Sequence, residues 1–295
     1  MMKSKIFKLN FVLVLVVLLA FCIVQSFAGP NITAAKTKIS TVNWNMMSRS
    51  ASGGRSNTNL YWLKFSFLDK ATSSATIQEI CSNEFRQLKS QMNMPGYFYS
   101  FYSDGACPNG EKYGMGIIFR GQEITHQLHT FRDQKVFTRA TPPYNIKLQY
   151  GNGARGMICV KHRYLGKSIS SCVTHIDFDM NSSKSYIKNN YIGNKQLKQY
   201  KDYGTMFSLG AGGAWNKSDV TFLNGDFNQY PDAVAKYASG YKSLVKQNTH
   251  NALEKSGPRI QLDYILVPNN ITGELSFINC KLNSDHCMTG GSVWV

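Results

Sequence analysis

Six short polar clusters in this chain each stand against an apolar run. They are Asn43-Trp44-Asn45, Gln78-Glu79, Thr174-His175, Gly225-Asp226-Phe227-Asn228, Ser284-Asp285-His286, and Asp263 inside Ile260–Val267. Their side chains are amides, carboxylates and imidazoles. Carboxylate and amide oxygens hold hard divalent cations, and histidines exchange protons near neutral pH. Taken singly, each cluster has a plainer reading, since an acid at a strand end normally caps a turn. Asp263 resists that reading, because an unpaired charge inside an apolar run costs several kcal/mol. Six such clusters in one order point to a shared site.

The elements that must position them are mostly strands. Strand patterns run over Lys38–Trp44, Tyr97–Tyr102, Gly114–Arg120, Lys147–Tyr150, Gly156–Arg163, Ile169–Ile176, Val220–Leu223, Ile260–Val267 and Gly291–Val295. Helical spacing is expected over Ala75–Met92 beyond Gln78-Glu79, with Ile80, Phe85 and Leu88 on one side, and over Ala233–Tyr241. Ser48–Asn59 reads as a loop, and the polar stretch Met180–Lys217 reads as an insertion without a motif. Strands interrupted by occasional helices predict an α/β sandwich, a single domain over residues 29–295.

The chain has 295 residues and a formal charge of +16, with 43% hydrophobic and 17% charged residues. That composition excludes a disordered tail or a coiled coil. Lys3, Lys5 and Lys8 precede the apolar run Phe11–Val24, which ends at Ser26-Phe27-Ala28. This is the anatomy of a secretion signal cleaved near Ala28, and the run is short of the roughly 20 residues a membrane span requires. No other stretch is long and apolar enough to span a bilayer, so no transmembrane segment is expected in the mature chain. Residues 1–28 carry those three lysines and no acids, so +13 remains on the folded part. Such basicity suits a phosphate-bearing partner, nucleic acid or an anionic membrane.

Of the 7 cysteines, Cys22 lies in the signal. An even number in an exported chain suggests disulfides. Two strands around a turn at Leu165-Gly166 place Cys159 opposite Cys172, within bridging reach. Cys280 and Cys287 close a short loop, which leaves Cys81 and Cys107. Zinc is disfavoured, since no CxxC pair occurs. Sequons stand at Asn31, Asn181, Asn216 and Asn270.

In the order of its clusters the chain resembles the endonuclease/exonuclease/phosphatase superfamily (deoxyribonuclease I-like), from about Thr41 to Val295. It is similar in this respect to the nuclease subunit of cytolethal distending toxins. Leu223-Asn224-Gly225-Asp226-Phe227-Asn228 and Ser284-Asp285-His286 carry the resemblance most specifically. The resemblance implies a four-layer sandwich of two packed mixed β-sheets flanked by helices, with the site at one edge. It implies that Glu79 binds metal with Asn45 beside it, and that Asp285 is a metal-side acid. His175 and His286 would be the two catalytic histidines, and Asp263 would support one of them. Asp226 and Asn228 would position water and phosphate, and Arg155 would contact phosphate. The implied cofactor is Mg²⁺ or another divalent cation such as Mn²⁺ or Ca²⁺.

Phosphodiester hydrolysis needs these residue types. A cation neutralises charge developing on oxygen, one carboxylate-backed histidine deprotonates water, and a second histidine donates to the phosphate or the leaving oxygen. The leading expectation is a secreted endonuclease acting on DNA, with delivery subunits as further partners if it is toxin-like. A sphingomyelinase or inositol-phosphatase-like enzyme is the alternative, with Tyr97–Tyr102 as a membrane-contacting segment. A catalytically inactive binding module is the third. Tyr113-Gly114-Met115-Gly116 departs from the family pattern, in which an amide often follows the first glycine. His126, His129, His162 and His250 match no family position and default to surface or structural roles. A nucleotide-binding P-loop at Gly210–Gly213 is not expected.

Overall fold

The computed structural model describes residues 35–46, 56–102, 107, 110–132, 155–177, 191–210, 217–250, 260–280, 282 and 284–295. The expected signal, the strand Lys147–Tyr150 and the sequons at Asn31, Asn181 and Asn216 lie outside them. Thr37–Val295 form one compact unit. None of the described helices is long and apolar enough to cross a membrane.

The described strands are β1 (Lys38–Asn45), β2 (Thr72–Cys81), β3 (Gly96–Tyr102), β4 (Tyr113–Phe119), β5 (Gln122–Thr130), β6 (Gly156–Tyr164), β7 (Lys167–His175), β8 (Val220–Asp226), β9 (Tyr241–Ser243), β10 (Asp263–Pro268), β11 (Gly273–Asn279) and β12 (Met288–Trp294). The helices are α1 (Ser56–Ser66), α2 (Ser82–Met92), α3 (Tyr191–Leu209) and α4 (Pro231–Tyr237). Two six-stranded mixed sheets result, in the orders β11-β12-β1-β2-β4-β3 and β5-β6-β7-β8-β10-β9. Each has one parallel pair near its middle, β1 with β2 and β7 with β8. The fold is thus the expected four-layer α/β sandwich.

Side-chain alternation explains the layering. Val42 and Trp44 of β1 pack with Leu60 and Leu63 of α1 and Phe85 and Leu88 of α2. On the other sheet Cys159, Cys172 and Leu223 pack with Leu197, Tyr200 and Phe207 of α3. Between the sheets lie two apolar clusters, one around Met115, Ile117, Ile158 and Val173, the other around Ile39, Phe222, Ile265 and Val293. A hydrogen-bonded polar seam also joins the sheets. Ser74 Oγ lies 3.0 Å from Ser171 Oγ, and Asn224 Nδ2 donates to Thr41 Oγ1 at 2.9 Å and Thr76 Oγ1 at 3.1 Å.

Several expectations are corrected. Thr72–Cys81 is a strand, and the helix starts only at Ser82. The Thr/Ser-rich, β-branched run pairs with both β1 and β4, which no local helical spacing can offset. Ile80 nonetheless joins Phe85 and Leu88 in one cluster. A helix occupies part of the expected loop from Ser56, and another, Tyr191–Leu209, lies within the expected insertion. Strands β5 and β11 were not anticipated. Tyr97–Tyr102 is strand residues at a sheet edge, with Phe98 packing on one face and Tyr97 and Tyr99 on the other, so it does not protrude.

All three disulfides form, Cys81–Cys107, Cys159–Cys172 and Cys280–Cys287, and Cys159 stands directly opposite Cys172 as the hairpin register requires. At the sheet end Gly225 meets Thr174 in parallel register, and a Cβ there would lie 2.2 Å from the Thr174 carbonyl oxygen. Backbone cannot retreat as a flexible side chain can. Gly225→Ala is therefore expected to lower stability by about 1–3 kcal/mol in urea unfolding, the usual scale of overpacking. An unchanged midpoint would contradict the close approach.

Candidate active site

The ends of β1, β2, β7, β8 and β10, together with the segment leading into β12, converge at one edge of the sandwich. Glu79 sits at an irregularity in the β2–β4 pairing and has φ of 56°, a left-handed backbone rare for a non-glycine residue. A bulge of this kind re-aims one side chain out of the strand alternation. It turns Glu79 toward Asn45, whose Nδ2 donates to Glu79 Oε1 at 3.1 Å and to Asp226 Oδ2 at 3.0 Å. The Tyr113 hydroxyl donates to the other Glu79 oxygen. Tyr113 thus orients Glu79, while the position after Gly114, where the family pattern often has an amide, is the buried Met115.

Asp226 is the hub. His175 Nε2 lies 3.5 Å from its Oδ2 and 3.7 Å from Glu79 Oε1, and His286 Nε2 lies 3.7 Å from the same Oδ2. Asn228, also left-handed with φ of 46°, donates its backbone N–H to Asp226 Oδ1 at 2.9 Å and its amide to the Ile176 carbonyl at 2.9 Å. Asp263, directly opposite Asp226 in the β8–β10 register, lies 2.8 Å from His286 Nδ1. The backbone N–H groups of Asp263 and Leu262 donate to Thr249 Oγ1 at 3.0 and 3.1 Å, which holds the strand entry in place.

The structure therefore brings together Asn45, Glu79, His175, Asp226, Asn228, Asp263 and His286. Asp285 belongs to an adjoining group, joined to the first through His286, with its Oδ1 3.9 Å from His286 Nε2. Arg155 is buried, and its Nε donates to Asp177 Oδ1 at 2.9 Å. Asp177 in turn is fixed by Gln196 of α3, through Nε2 to Oδ2 at 2.8 Å. Sequence reasoning missed Asp177, Gln196, Tyr113 as a Glu79 partner and His250. The last lies at the site edge, with Nε2 3.3 Å from Asp285 Oδ2. No local motif marks any of the four; only the strand ends that meet in space do.

The electrostatics separate the two histidines. Burial, followed by the charges of Arg155 and His286, holds His175 well below its ordinary pKa, so it is neutral. Burial opposes charge on His286 too, but Asp263 and Asp226, then Asp285, outweigh it and raise that imidazole to about 10. Burial pushes Asp226 up to about 7; His286 opposes this, and Asp263 reinforces it. Asp285 is lowered, since burial is outweighed by its hydrogen bond to His250 and the charges of His286 and His250.

The donor set fits a hard divalent cation. Glu79, His175 and Asp226 each offer a ligand atom within 4.8 Å of the others, and Asn45 bridges the two carboxylates. Carboxylate oxygens crowded at a buried edge, one of them reluctant to ionise, are stabilised by such an ion, and Mg²⁺ needs only one or two of them.

No family model matches the sequence, and no curated protein matches it. Solved structures match its fold. An endonuclease/exonuclease/phosphatase from Beutenbergia cavernae superposes with a TM-score of 0.61 at 13% identity, over 88% of this chain and 72% of that one. TDP2 from D. rerio, complexed with a single-strand DNA product, gives 0.57 at 14% identity, over 88% and 98%. The human nocturnin catalytic domain, with a bound sulfate anion, gives 0.56 at 16% identity, over 88% and 95%. The chain has the endonuclease/exonuclease/phosphatase fold.

The opposite shifts of the two histidines are measurable by NMR on the metal-free protein. The His286 ring is expected to stay protonated through neutral pH and titrate near 10, while His175 stays neutral until well below 6.5. A raised histidine pKa contributes stability that is present below about 6.5 and lost as pH rises through its folded value. Titration of both rings near 6.5 would refute this electrostatic arrangement.

Proposed function

We propose that this protein is a divalent-metal-dependent phosphodiesterase, an endonuclease acting on DNA, exported after cleavage of its signal near Ala28. One observation carries the reading: Asn45 and Glu79 from one sheet, with His286 from the segment entering that sheet's β12, meet His175, Asp226 and Asp263 from the other around a single buried carboxylate. A structural ion pair needs two groups, whereas hydrolysis of a phosphodiester needs a cation site, a water-positioning acid and two histidines. The similar fold of a TDP2 that holds a single-strand DNA product supports a nucleic-acid substrate. The charge of +13 left after residues 1–28 supports it too.

In this reading Glu79 and Asn45 would hold the cation, with Asp285 in the adjoining group beside His286, and a bound cation would supply neutralisation of charge on a phosphate oxygen. Tyr113 fixes the carboxylate plane of Glu79. Asp226, locked by Asn45 and the Asn228 amide, positions the water. Asp263 holds the His286 ring through Nδ1 and so aims Nε2 at the site. His175, neutral and buried, accepts or passes a proton next to Asp226. Arg155, braced by Asp177, presents positive charge to the phosphate from the floor.

The test compares supercoiled plasmid, RNA and sphingomyelin vesicles, with Mg²⁺ and with EDTA. Plasmid nicking that EDTA abolishes is expected. Glu79→Gln is expected to demand more Mg²⁺ and turn over slowly, and His175→Ala or His286→Ala to lose about 10²-fold or more in rate. DNA binding by the His286→Ala protein should survive but fall steeply with salt, because each neutralised phosphate releases counterions. Sphingomyelin hydrolysis together with a flat salt response would overturn the nuclease reading in favour of a lipid phosphodiesterase.

A further inference from the structure

A second constellation stands at the same edge, where His250, which no sequence motif marks, joins Asp285 and His286. His250 lies between β9 and β10, and its backbone bridges both Ile260 and His286. Its N–H donates to the Ile260 carbonyl at 3.0 Å, and the Cys287 N–H donates to the Thr249 carbonyl at 2.7 Å. The Cys280–Cys287 disulfide closes the loop that carries Asp285 and His286. Main chain and a covalent link therefore hold these three side chains together. Their rings and carboxylate meet closely: the two imidazoles are edge to face at 4.7 Å between centroids.

We propose that His250, Asp285 and His286 form a binding site for a transition-metal cation, with Zn²⁺ as its chemical type. Each offers one ligand atom, and these atoms all lie within 4.8 Å of one another. Two imidazoles and one carboxylate are the donors Zn²⁺ takes when it keeps one position open. They differ in kind from the oxygen-rich set around Glu79, which suits Mg²⁺. Donors bound about 2.0–2.2 Å from one ion at tetrahedral angles stand roughly 3.3–3.6 Å apart. Asp285 Oδ2 is 3.3 Å from His250 Nε2, at that spacing, while the other oxygen of the same carboxylate, Oδ1, is 3.9 Å from His286 Nε2, slightly beyond it.

Two further observations point to a ligand. Asp285 Oδ1 is a buried polar atom without a hydrogen-bond partner among the described residues. A plain His250–Asp285 pair engages Oδ2 and leaves Oδ1 with only the 3.9 Å charge contact to His286 Nε2. Asp263 already holds His286 through Nδ1, the carboxylate–histidine arrangement that leaves Nε2 to bind metal. Entry of the cation displaces the proton from His286 into solvent. The consequence for turnover rests on the phosphodiesterase reading: a Zn²⁺ on His286 Nε2 takes away the nitrogen that would act on phosphate, so zinc brakes Mg²⁺-supported hydrolysis. Binding itself does not rest on that reading.

The test titrates chelator-treated, untagged protein with Zn²⁺ by calorimetry and with Co²⁺ by visible absorption. The wild type is expected to bind one Zn²⁺ at this site and to give the intense absorption of four-coordinate Co²⁺. His250→Ala should weaken Zn²⁺ by at least the 10–100-fold that loss of an outer-shell partner already costs. Glu79→Gln should leave Zn²⁺ affinity unchanged. Because His250 is held through its backbone, the Ala variant should keep its thermal midpoint; His250→Gln, which retains an amide for Asp285, serves as the second variant. Under Mg²⁺, the His250→Ala protein should keep its turnover and lose inhibition by zinc. Equal Zn²⁺ affinity in wild type and both His250 variants, or no Zn²⁺ binding by the wild type, would overturn the proposal. Zn²⁺ binding that depends on His250 in a protein without phosphodiesterase activity would sustain the site and defeat the function proposed above.

Discussion

Asp226 has 1% of its surface exposed, yet it is a carboxylate, and much of the site follows from the need to accommodate it. Burying such a group without partners is among the most unfavourable things a fold can do. Here its partners come from both sheets: the Asn45 amide from one, the Asn228 backbone from the turn after β8, and the two histidines. No one element could supply them. The sheets must therefore meet in a single register, and the seam of Thr41, Ser74, Thr76, Ser171 and Asn224 is what enforces it. Apolar clusters on either side supply most of the burial, but they are non-directional. The hydrogen bonds between the sheets specify the alignment.

Local backbone geometry then refines what the register places. Glu79 and Asn228 both carry positive φ, and both are at the site. Residues in that region are held there at a cost of about 1–3 kcal/mol each unless surrounding structure insists on them. The β2–β4 irregularity and the close passage of Gly225 against Thr174 supply that insistence. Both of these left-handed residues stand at the candidate site.

Charge distribution follows from the same placement. Asp263, Asp226 and Asp285 surround His286 and, against its burial, raise its pKa, while burial first, and then the charges of Arg155 and His286, lowers that of His175. Two imidazoles of the same intrinsic basicity are thus driven apart by their neighbours, the condition under which one fold performs both acid and base steps. A cation beside Glu79 would redistribute that charge again, so metal and proton occupancy at this edge are linked.

The chain by itself determined the layers, the disulfides and most of the site. Alternation in Lys38–Asn45 and Gly156–Tyr164 encodes strands, the Leu165-Gly166 turn sets the register that joins Cys159 to Cys172, and the Leu223–Asn228 and Ser284–His286 segments mark chemistry. These are short-range signals, readable because they depend on neighbours in sequence. The strand Thr72–Cys81 was legible only as a helix start, since its pairing partners Asn43 and Ile117 are far away along the chain. Helix α3 was hidden by a polar surface, and its Gln196 reaches Asp177 only because the helix lies across the second sheet. Tyr113 on Glu79 and His250 on Asp285 belong to no motif. Tertiary structure alone decided those contacts, because a hydrogen bond between residues dozens of positions apart depends on how the sheets stack, and no residue type or spacing records that.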